Sequence, residues 1–479
     1  MRKRLHPSWL LAWASLGILA GVVLCLSSKG YFASLPWLFL GVSLVAISLV
    51  NRRVFIILFA IAGGLFIGLW RGTLDFQSQN NYQQFFNEQV RISGVVSEDI
   101  SFGKNGQQQI KMKNIVLDGK ELSGQVWAST SSTLEIKRSD KLEIEGKLSK
   151  GFGNFPAAMY KAEIVSAQRV VHGDAAREIR DWFSGHVRKV IDEPEASLGL
   201  GFLTGQHSTL PESLSNNLKI LGLTHIIVAS GYNLTILVRF ARGALAGISK
   251  YLATLGSGLL IASFILVTGA SPSMTRAGLI TGLSLLAWYY GRRIHPLVLL
   301  PFSACITVLI NPSFLWGDLG WYLSFAAFSG VIILAPLLMN YFWSKSKPGA
   351  ISRVLVETAS AQILTMPIIA FAFGHYAPLA LLSNLMVLPL IPIAMLMTFV
   401  SGVASILSGT IGGVIAFPAQ LVLNYMTFIT QKLADLPISQ GIISFSFSYL
   451  IVAYLAIFIL AIWLWRRTKH DFSEDSIIE

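Results

Sequence analysis

The sequence predicts a polytopic α-helical membrane protein of about twelve spans, with one small all-β domain of OB-like type set between them on the extracytoplasmic side. Three observations predict it. The chain of 479 residues is 53% hydrophobic and only 13% charged, whereas soluble globular chains carry about 25% charged residues. Long apolar runs recur along its length, bounded by basic clusters such as Arg52-Arg53, Arg292-Arg293 and Arg466-Arg467. One stretch, residues 71–175, breaks that pattern with short alternating runs.

The elements follow in order. Residues 1–70 hold three spans, at about 9–26, 36–50 and 54–70. The first is long enough to serve as an uncleaved anchor rather than a signal. Within 71–175, QVRISGVVSEDI, QQIKMKNIVL, LSGQVWAST, KLEIEGKLS and KAEIVSAQRV read as antiparallel strands separated by Gly, Asn and Asp. In 176–195 the apolar residues Ile179, Trp182, Phe183, Val187, Val190 and Ile191 recur at helical spacing opposite a charged face. That helix fits either the membrane surface or a connector packed on the barrel. Residues 196–466 hold nine more spans, beginning with 221–241, and LGLGFLTG (198–205) is short enough to be re-entrant. Residues 467–479 form a short tail.

Basic loops set the orientation. With the N-terminus and Arg52-Arg53 inside, the strand domain falls outside. Arg239 with Arg242, GRRIH, KSKPGAISR and WRRTKH then all fall inside, with both termini cytoplasmic in the cell membrane. A net charge of +12 could mean a nucleic-acid partner, but much of the excess sits at span ends, where this rule places it. Cys25 and Cys305 lie singly in apolar runs and form no disulfide framework or metal spacing. No GxxxxGK[ST], HExxH or GxSxG motif occurs, so the sequence calls for no cofactor or metal and names no catalytic residue.

Polar groups inside apolar spans are costly and face a cavity or a partner. His225, Ser230, Gly231, Tyr232 and Asn233 interrupt the run at 221–241, either as a break lining an aqueous path or as a packing notch. Arg276 and Asp318 each begin a span from the outside. They either pair, or Arg276 snorkels and Asp318 caps its helix. Ser324, Thr365, His375 and Asn384 complete the channel-lining candidates. In the strand domain, Phe102, Lys111, Lys113, Lys120 and Trp127 are candidates for holding a single strand, since OB folds stack bases on aromatic side chains in basic grooves. A structural vestibule is the other reading, because acidic residues nearly balance the lysines.

Four segments together resemble the ComEC competence family. They are GLGFLTGQHSTLPESLSNNLKILGLTHIIVASGYN, GASPSMTRA, NPSFLWGDLGWYLSFAAFSGVI and TMPIIAFAFGHYAPLALLSN, in this order over about 190 residues. The resemblance implies an inner-membrane channel for single-stranded DNA in natural transformation. Members commonly have Ser-Gly-Leu-His where this chain has Ser230-Gly231-Tyr232-Asn233, so an imidazole role there is lost. Many also carry a metallo-β-lactamase-like domain, whereas the sequence here closes on DFSEDSIIE. The resemblance therefore implies a separate nuclease, a cytoplasmic helicase or ATPase, and a periplasmic or surface DNA receptor as partners. Broken helices and polar spans suit a small-solute transporter equally well, and His225 or His375 could instead serve a membrane-embedded enzyme.

Overall fold

A computed structural model describes residues 6–27, 31–51, 54–103, 106–170, 173–206, 209–223, 230–269, 271–292, 295–343 and 348–472. In chain order, the helices are α1 (Pro7–Leu24), α2 (Leu35–Asn51) and α3 (Ile57–Asn80). Strands β1 (Gln89–Val96), β2 (Ser101–Phe102), β3 (Gln108–Leu117), β4 (Lys120–Leu122), β5 (Val126–Thr130), β6 (Lys141–Lys150), β7 (Ala157–Met159) and β8 (Glu163–Gln168) follow. Then come α4 (Ala175–Val187), α5 (Glu195–Thr204), α6 (Glu212–Ile220), α7 (Gly231–Ala246), α8 (Lys250–Thr268), α9 (Pro272–Tyr289), α10 (Pro296–Ile310), α11 (Phe314–Gly317) and α12 (Leu319–Ser329). A π-helical turn, Gly330–Leu334, leads into α13 (Ala335–Phe342). The chain continues with α14 (Ala350–Phe373), β9 (His375–Tyr376), α15 (Ala380–Val387), α16 (Ile391–Leu407), α17 (Gly409–Ala434), β10 (Gly441–Ile442) and α18 (Phe447–Thr468).

Among the described residues, eight helical segments are long and apolar enough to cross a membrane. Leu35–Asn51 and Pro296–Ile310 are shorter apolar helices. The expected count of twelve is therefore not reached by length and hydropathy alone. The run read as one span at 221–241 differs most. A turn at Leu221–Leu223 ends α6, and α7 starts only at Gly231.

The chain divides into two compact units, Met1–Asp174 with Ile294–Tyr322, and Ala175–Arg293 with Leu323–Glu479. In the first, α1 and α3 meet through glycines. Gly17 and Gly21 of α1 lie on the backbone carbonyls of Ile61 and Leu65, and Gly64 and Gly68 of α3 lie on those of Ala14 and Ile18. A Cβ at any of these four would overlap a carbonyl oxygen. Small residues four apart let two membrane helices approach backbone to backbone, where close packing replaces the absent hydrophobic drive. Arg71, also on α3, donates from Nε to Leu309 O at 2.8 Å and from Nη2 to Ile310 O at 2.9 Å. It thereby satisfies last-turn carbonyls of α10, where the helix dipole favours a cation.

α3 runs ten residues past the expected span end and leads directly into the strand domain. Tyr82, just beyond it, is fully buried in the strand core beside Ile92, Ile110, Ile144 and Leu148. The strands close a five-stranded ring in the order β1-β3-β5-β7-β6 and back to β1. All pairs are antiparallel except β5 with β7, where Val126 faces Ala157 in parallel. This is a five-stranded, barrel-like sheet. Its core follows strand periodicity, with Leu142, Ile144 and Leu148 inward on β6. β3 breaks that period at Lys113-Asn114, where both residues are exposed and Asn114 has φ +53°. The register shifts there against β1. This bulge returns Ile115 and Leu117 to the core face already occupied by Ile110 and Met112.

In the second unit, α5 is central. All its residues except Leu203 are buried, and α16 and α17 contribute Ile391, Met395, Leu423 and Met426 to the same core. The segment read as short enough to be re-entrant, 198–205, lies almost wholly in this buried helix. The apolar face of α4 is divided. Phe183 covers Gly402 of α16, and Val187 is buried. Yet Ile179 and Trp182 are 62% and 54% exposed, while Arg177 and Arg180 are buried. The reason is a polar network. Arg180 donates to Asp181 Oδ1 at 3.0–3.1 Å, Gln206 Nε2 donates to the same oxygen at 3.0 Å, and Ser184 Oγ donates to Gln206 Oε1 at 2.7 Å. Paired and hydrogen-bonded charge tolerates burial.

Candidate functional site

Two groups of residues carry candidate chemistry, one in each unit. The first is on the outer face of the barrel. Trp127 pairs with Lys111 across β5 and β3, so both side chains leave the same face. The loop between β6 and β7, Gly151 to Pro156, brings Phe152 edge-on to Trp127 at 5.3 Å between ring centroids. Tyr160, just past β7, meets Trp127 at the same distance, and Phe155 lies 5.6 Å from Phe152. Phe152 and Tyr160 are 46% and 53% exposed. This aromatic group lies on the β3–β5 face and the β6–β7 loop of the barrel. Sequence reading found Trp127 and missed Phe152 and Tyr160, because the topology joining β6 to β7 brings them together, not their spacing.

The basic candidates are less concentrated. Lys111 Nζ pairs with Glu98 at 2.7 Å, which neutralises it locally. Lys113 is exposed at the bulge, and Lys120 is exposed on the β3–β4 hairpin. Phe102 is exposed on β2, at the other edge of β3 from β5, and no ring contact joins it to Trp127 among the described residues. Elsewhere on the barrel, Arg91 pairs with Glu145 at 2.9 Å, and that bond holds its guanidinium further in the charged form.

The barrel loop also touches Asp318. Gly153 packs on Gly317, and Asn154 Nδ2 donates to Asp318 Oδ2 at 3.1 Å. Asp318 Oδ1 meanwhile accepts from Trp321 N at 2.7 Å, an N-cap bond at the start of α12. One carboxylate therefore ties the aromatic loop to a helix that the family-like motif NPSFLWGD introduces.

The second group surrounds Asn233. Ser230 is the N-cap of α7, accepting from Asn233 N at 3.4 Å. Its hydroxyl donates to Asn233 Oδ1 at 3.2 Å. Asn233 is fully buried, and its Nδ2 donates to Phe202 O at 3.0 Å. Phe202 lies in the last turn of α5, whose carbonyls have no helical partner. Asn233 thus joins the end of one helix to the start of another. Gly231 lets α7 approach α9, since a Cβ there would stand 3.0 Å from Ala277 Cβ. Tyr232 is 42% exposed. Glu357 of α14 lies within electrostatic reach of Tyr232 and Arg239, both on α7 and two turns apart.

Arg276 is next to Ala277 on α9 and only 1% exposed. Asn384 is 3% exposed on α15, with Oδ1 buried and unpartnered among the described residues. Its neighbour Ser383 donates to Leu221 O at 3.1 Å. Thr365 bonds back to Ala361 O within α14, and Ser324 is half-buried on α12. His375 sits on β9 with Nδ1 2.8 Å from Phe373 O. His225 lies outside the described residues.

Repeated apolar helices, a five-stranded barrel-like sheet and polar residues buried between helices define a membrane protein with several apolar helices and an attached strand domain. The family described as competence protein matches residues 202–468, more than half of the chain, and the chain belongs to that family. It is also similar to ComE operon protein 3 of Bacillus subtilis (strain 168), with 24% identity over 221 residues, 46% of this chain and 28% of that protein. The chain is thus matched to less than a third of that relative's length. No solved structure matches.

Proposed function

We propose that the chain is the inner-membrane channel through which single-stranded DNA reaches the cytoplasm in natural transformation. The observation that carries this is the competence family over 202–468 in the same chain as an OB-type barrel. The barrel stands on the outer side and takes the strand first, with Trp127, Phe152 and Tyr160 as the stacking surface. The helices after residue 196 then carry it inward, past Arg276, Tyr232 and Asn384. Phosphates cannot cross hydrocarbon, so these polar positions supply a wetted path. An inside-negative potential opposes an entering anion by about 2.3 kcal/mol per charge per 100 mV. A cytoplasmic helicase or ATPase therefore pulls the strand, a surface DNA receptor delivers it, and a nuclease removes its complement.

The test is deletion in the native host. Transformation is expected to fall to the background of spontaneous mutation and to return with the wild-type chain. Normal transformation without the chain would exclude the reading and leave small-solute transport as the alternative.

The barrel's part has its own test. Full-length protein in lipid nanodiscs is titrated with a fluorescent oligothymidylate at several salt concentrations. Trp127→Ala is expected to weaken binding about 5- to 150-fold, because stacking on one aromatic ring contributes about 1–3 kcal/mol. The salt slope should stay the same, since no phosphate contact is removed. Unchanged affinity would make the aromatic group a structural feature of the barrel.

A further inference from the structure

Among the described residues, the Asp318 carboxylate meets two neutral donors and no cation: Trp321 N at 2.7 Å from Oδ1 and Asn154 Nδ2 at 3.1 Å from Oδ2. The two oxygens have separate roles. Capping α12 takes only one of them, and a Ser, Thr or Asn would serve as well there. The second oxygen reaches out of the helix to the loop 151–156 between β6 and β7.

That loop is a closed turn. Gly151 N donates to Pro156 O at 3.2 Å, and Phe155 N donates to Phe152 O at 3.0 Å. Gly153 takes φ +60°, the left-handed conformation that glycine adopts freely. It lies backbone to backbone with Gly317, where a Cβ on Gly317 would stand 2.9 Å from Gly153 Cα. The internal bonds fix the loop's shape, but not the direction in which it points from the barrel. Direction matters because Phe152 is 46% exposed and touches Trp127 only edge-on, which is a weak hold on a loop. Asn154 is the only residue of the loop whose side chain can donate a hydrogen bond. It spends that bond on Asp318, and an ionised acceptor makes the bond stronger than a neutral one.

We infer that Asp318 is a positioning residue of the barrel surface: by holding Asn154 it sets the loop 151–156, and through the loop it sets Phe152 against Trp127. The consequence for DNA rests on the barrel being the surface that receives the strand, whereas the placement of the loop does not.

The test uses the full-length chain in lipid nanodiscs with two readouts. One is hydrogen exchange in peptides covering 151–156 and the first turn of α12. The other is affinity for a fluorescent oligothymidylate. Asn154→Ala removes the bond and leaves the cap. Asp318→Ser keeps an acceptor for Trp321 N but is too short to reach Asn154. Each is expected to speed exchange in the loop, with the first turn of α12 unchanged. Each should also weaken oligothymidylate binding about three-fold or more, the scale of one lost hydrogen bond. For Asn154→Ala the salt slope should not move, since no phosphate contact is lost. The two changes combined should be little worse than either alone, because both break the same bond. The exchanged pair Asn154→Asp with Asp318→Asn rebuilds a carboxylate–amide bond in reverse and should return both readouts close to wild type. Loop exchange at the wild-type rate in Asn154→Ala overturns the inference, and so does a loosened loop with undiminished binding. An exchanged pair that folds yet stays impaired also overturns it. Asn154→Ala alters one side chain in a loop, so it carries the comparison if the Asp318 variants fail to fold. A wild-type chain that binds no oligothymidylate would instead sink the barrel's DNA role, and loop exchange alone would then decide whether Asp318 holds the loop.

Discussion

Cells whose chain carries Asn233→Leu are expected to transform about 3- to 100-fold less than wild type. The side chain is fully buried and occupied at both ends, with Nδ2 on Phe202 O and Oδ1 on Ser230 Oγ. Leucine keeps the branched shape and removes both bonds. It leaves a carbonyl in the last turn of α5 buried without its donor, at a cost of about 1–3 kcal/mol. Polar bonds between membrane helices average nearer 0.6 kcal/mol, which sets the lower bound of the effect. The loss falls on the joint between α5 and α7, so membrane levels should hold while transport fails. Asn233→His is the informative companion, because an imidazole N–H can still donate toward Phe202 O and is expected to restore part of the activity. If Asn233→Leu transforms normally at wild-type abundance, the joint has no part in transport.

Gly68→Leu is expected to lower the amount of folded protein in the membrane by more than ten-fold. The new Cβ would overlap the Ile18 carbonyl, and that atom belongs to a helix backbone that cannot turn aside. Overpacking usually costs about 1–3 kcal/mol, and a clash with backbone lies at the upper end of that range. The glycines are paired, Gly17 and Gly21 against Gly64 and Gly68, so a single leucine separates α1 from α3 along both turns. Because α3 leads into the barrel through Tyr82, the damage should spread to the strand domain. Gly258→Leu is the control, since nothing stands within 4 Å of a Cβ at that position. Abundance is read by quantitative immunoblotting of membranes. Equal levels of the Gly68 and Gly258 variants would show that the glycine contact is not needed for assembly.

Much of the architecture was legible in the residues. The membrane class followed from low charge and long apolar runs. The barrel strands followed from period-two alternation, because each strand has one wet and one dry face. The bulge at Lys113-Asn114 could be read as two adjacent polar residues between inward pairs, but only the register against β1 fixed its sense. The span count was less legible. Hydropathy does not separate a helix that crosses from one that stays inside, and α5 is as apolar as a crossing segment while being a short interior helix. α4 shows a related limit. Periodicity shows that two faces differ, but not that a hydrogen-bonded guanidinium such as Arg180 faces inward while Trp182 faces out.

The candidate site divides in the same way. Ser230, Gly231, Asn233, Arg276 and Asn384 were conspicuous as polar or small residues in apolar surroundings, and that anomaly is local. What Asn233 does is not local: its partner is 31 residues away on α5. Trp127 was visible as an aromatic on a strand, whereas Phe152 and Tyr160 join it only through the parallel pairing of β5 with β7. The sequence by itself determined the solvent each segment prefers, because transfer between water and lipid depends on composition over a short window. The tertiary structure decided which backbones touch, which carbonyl each polar side chain satisfies and which rings share a face, because those depend on atoms brought together from distant parts of the chain.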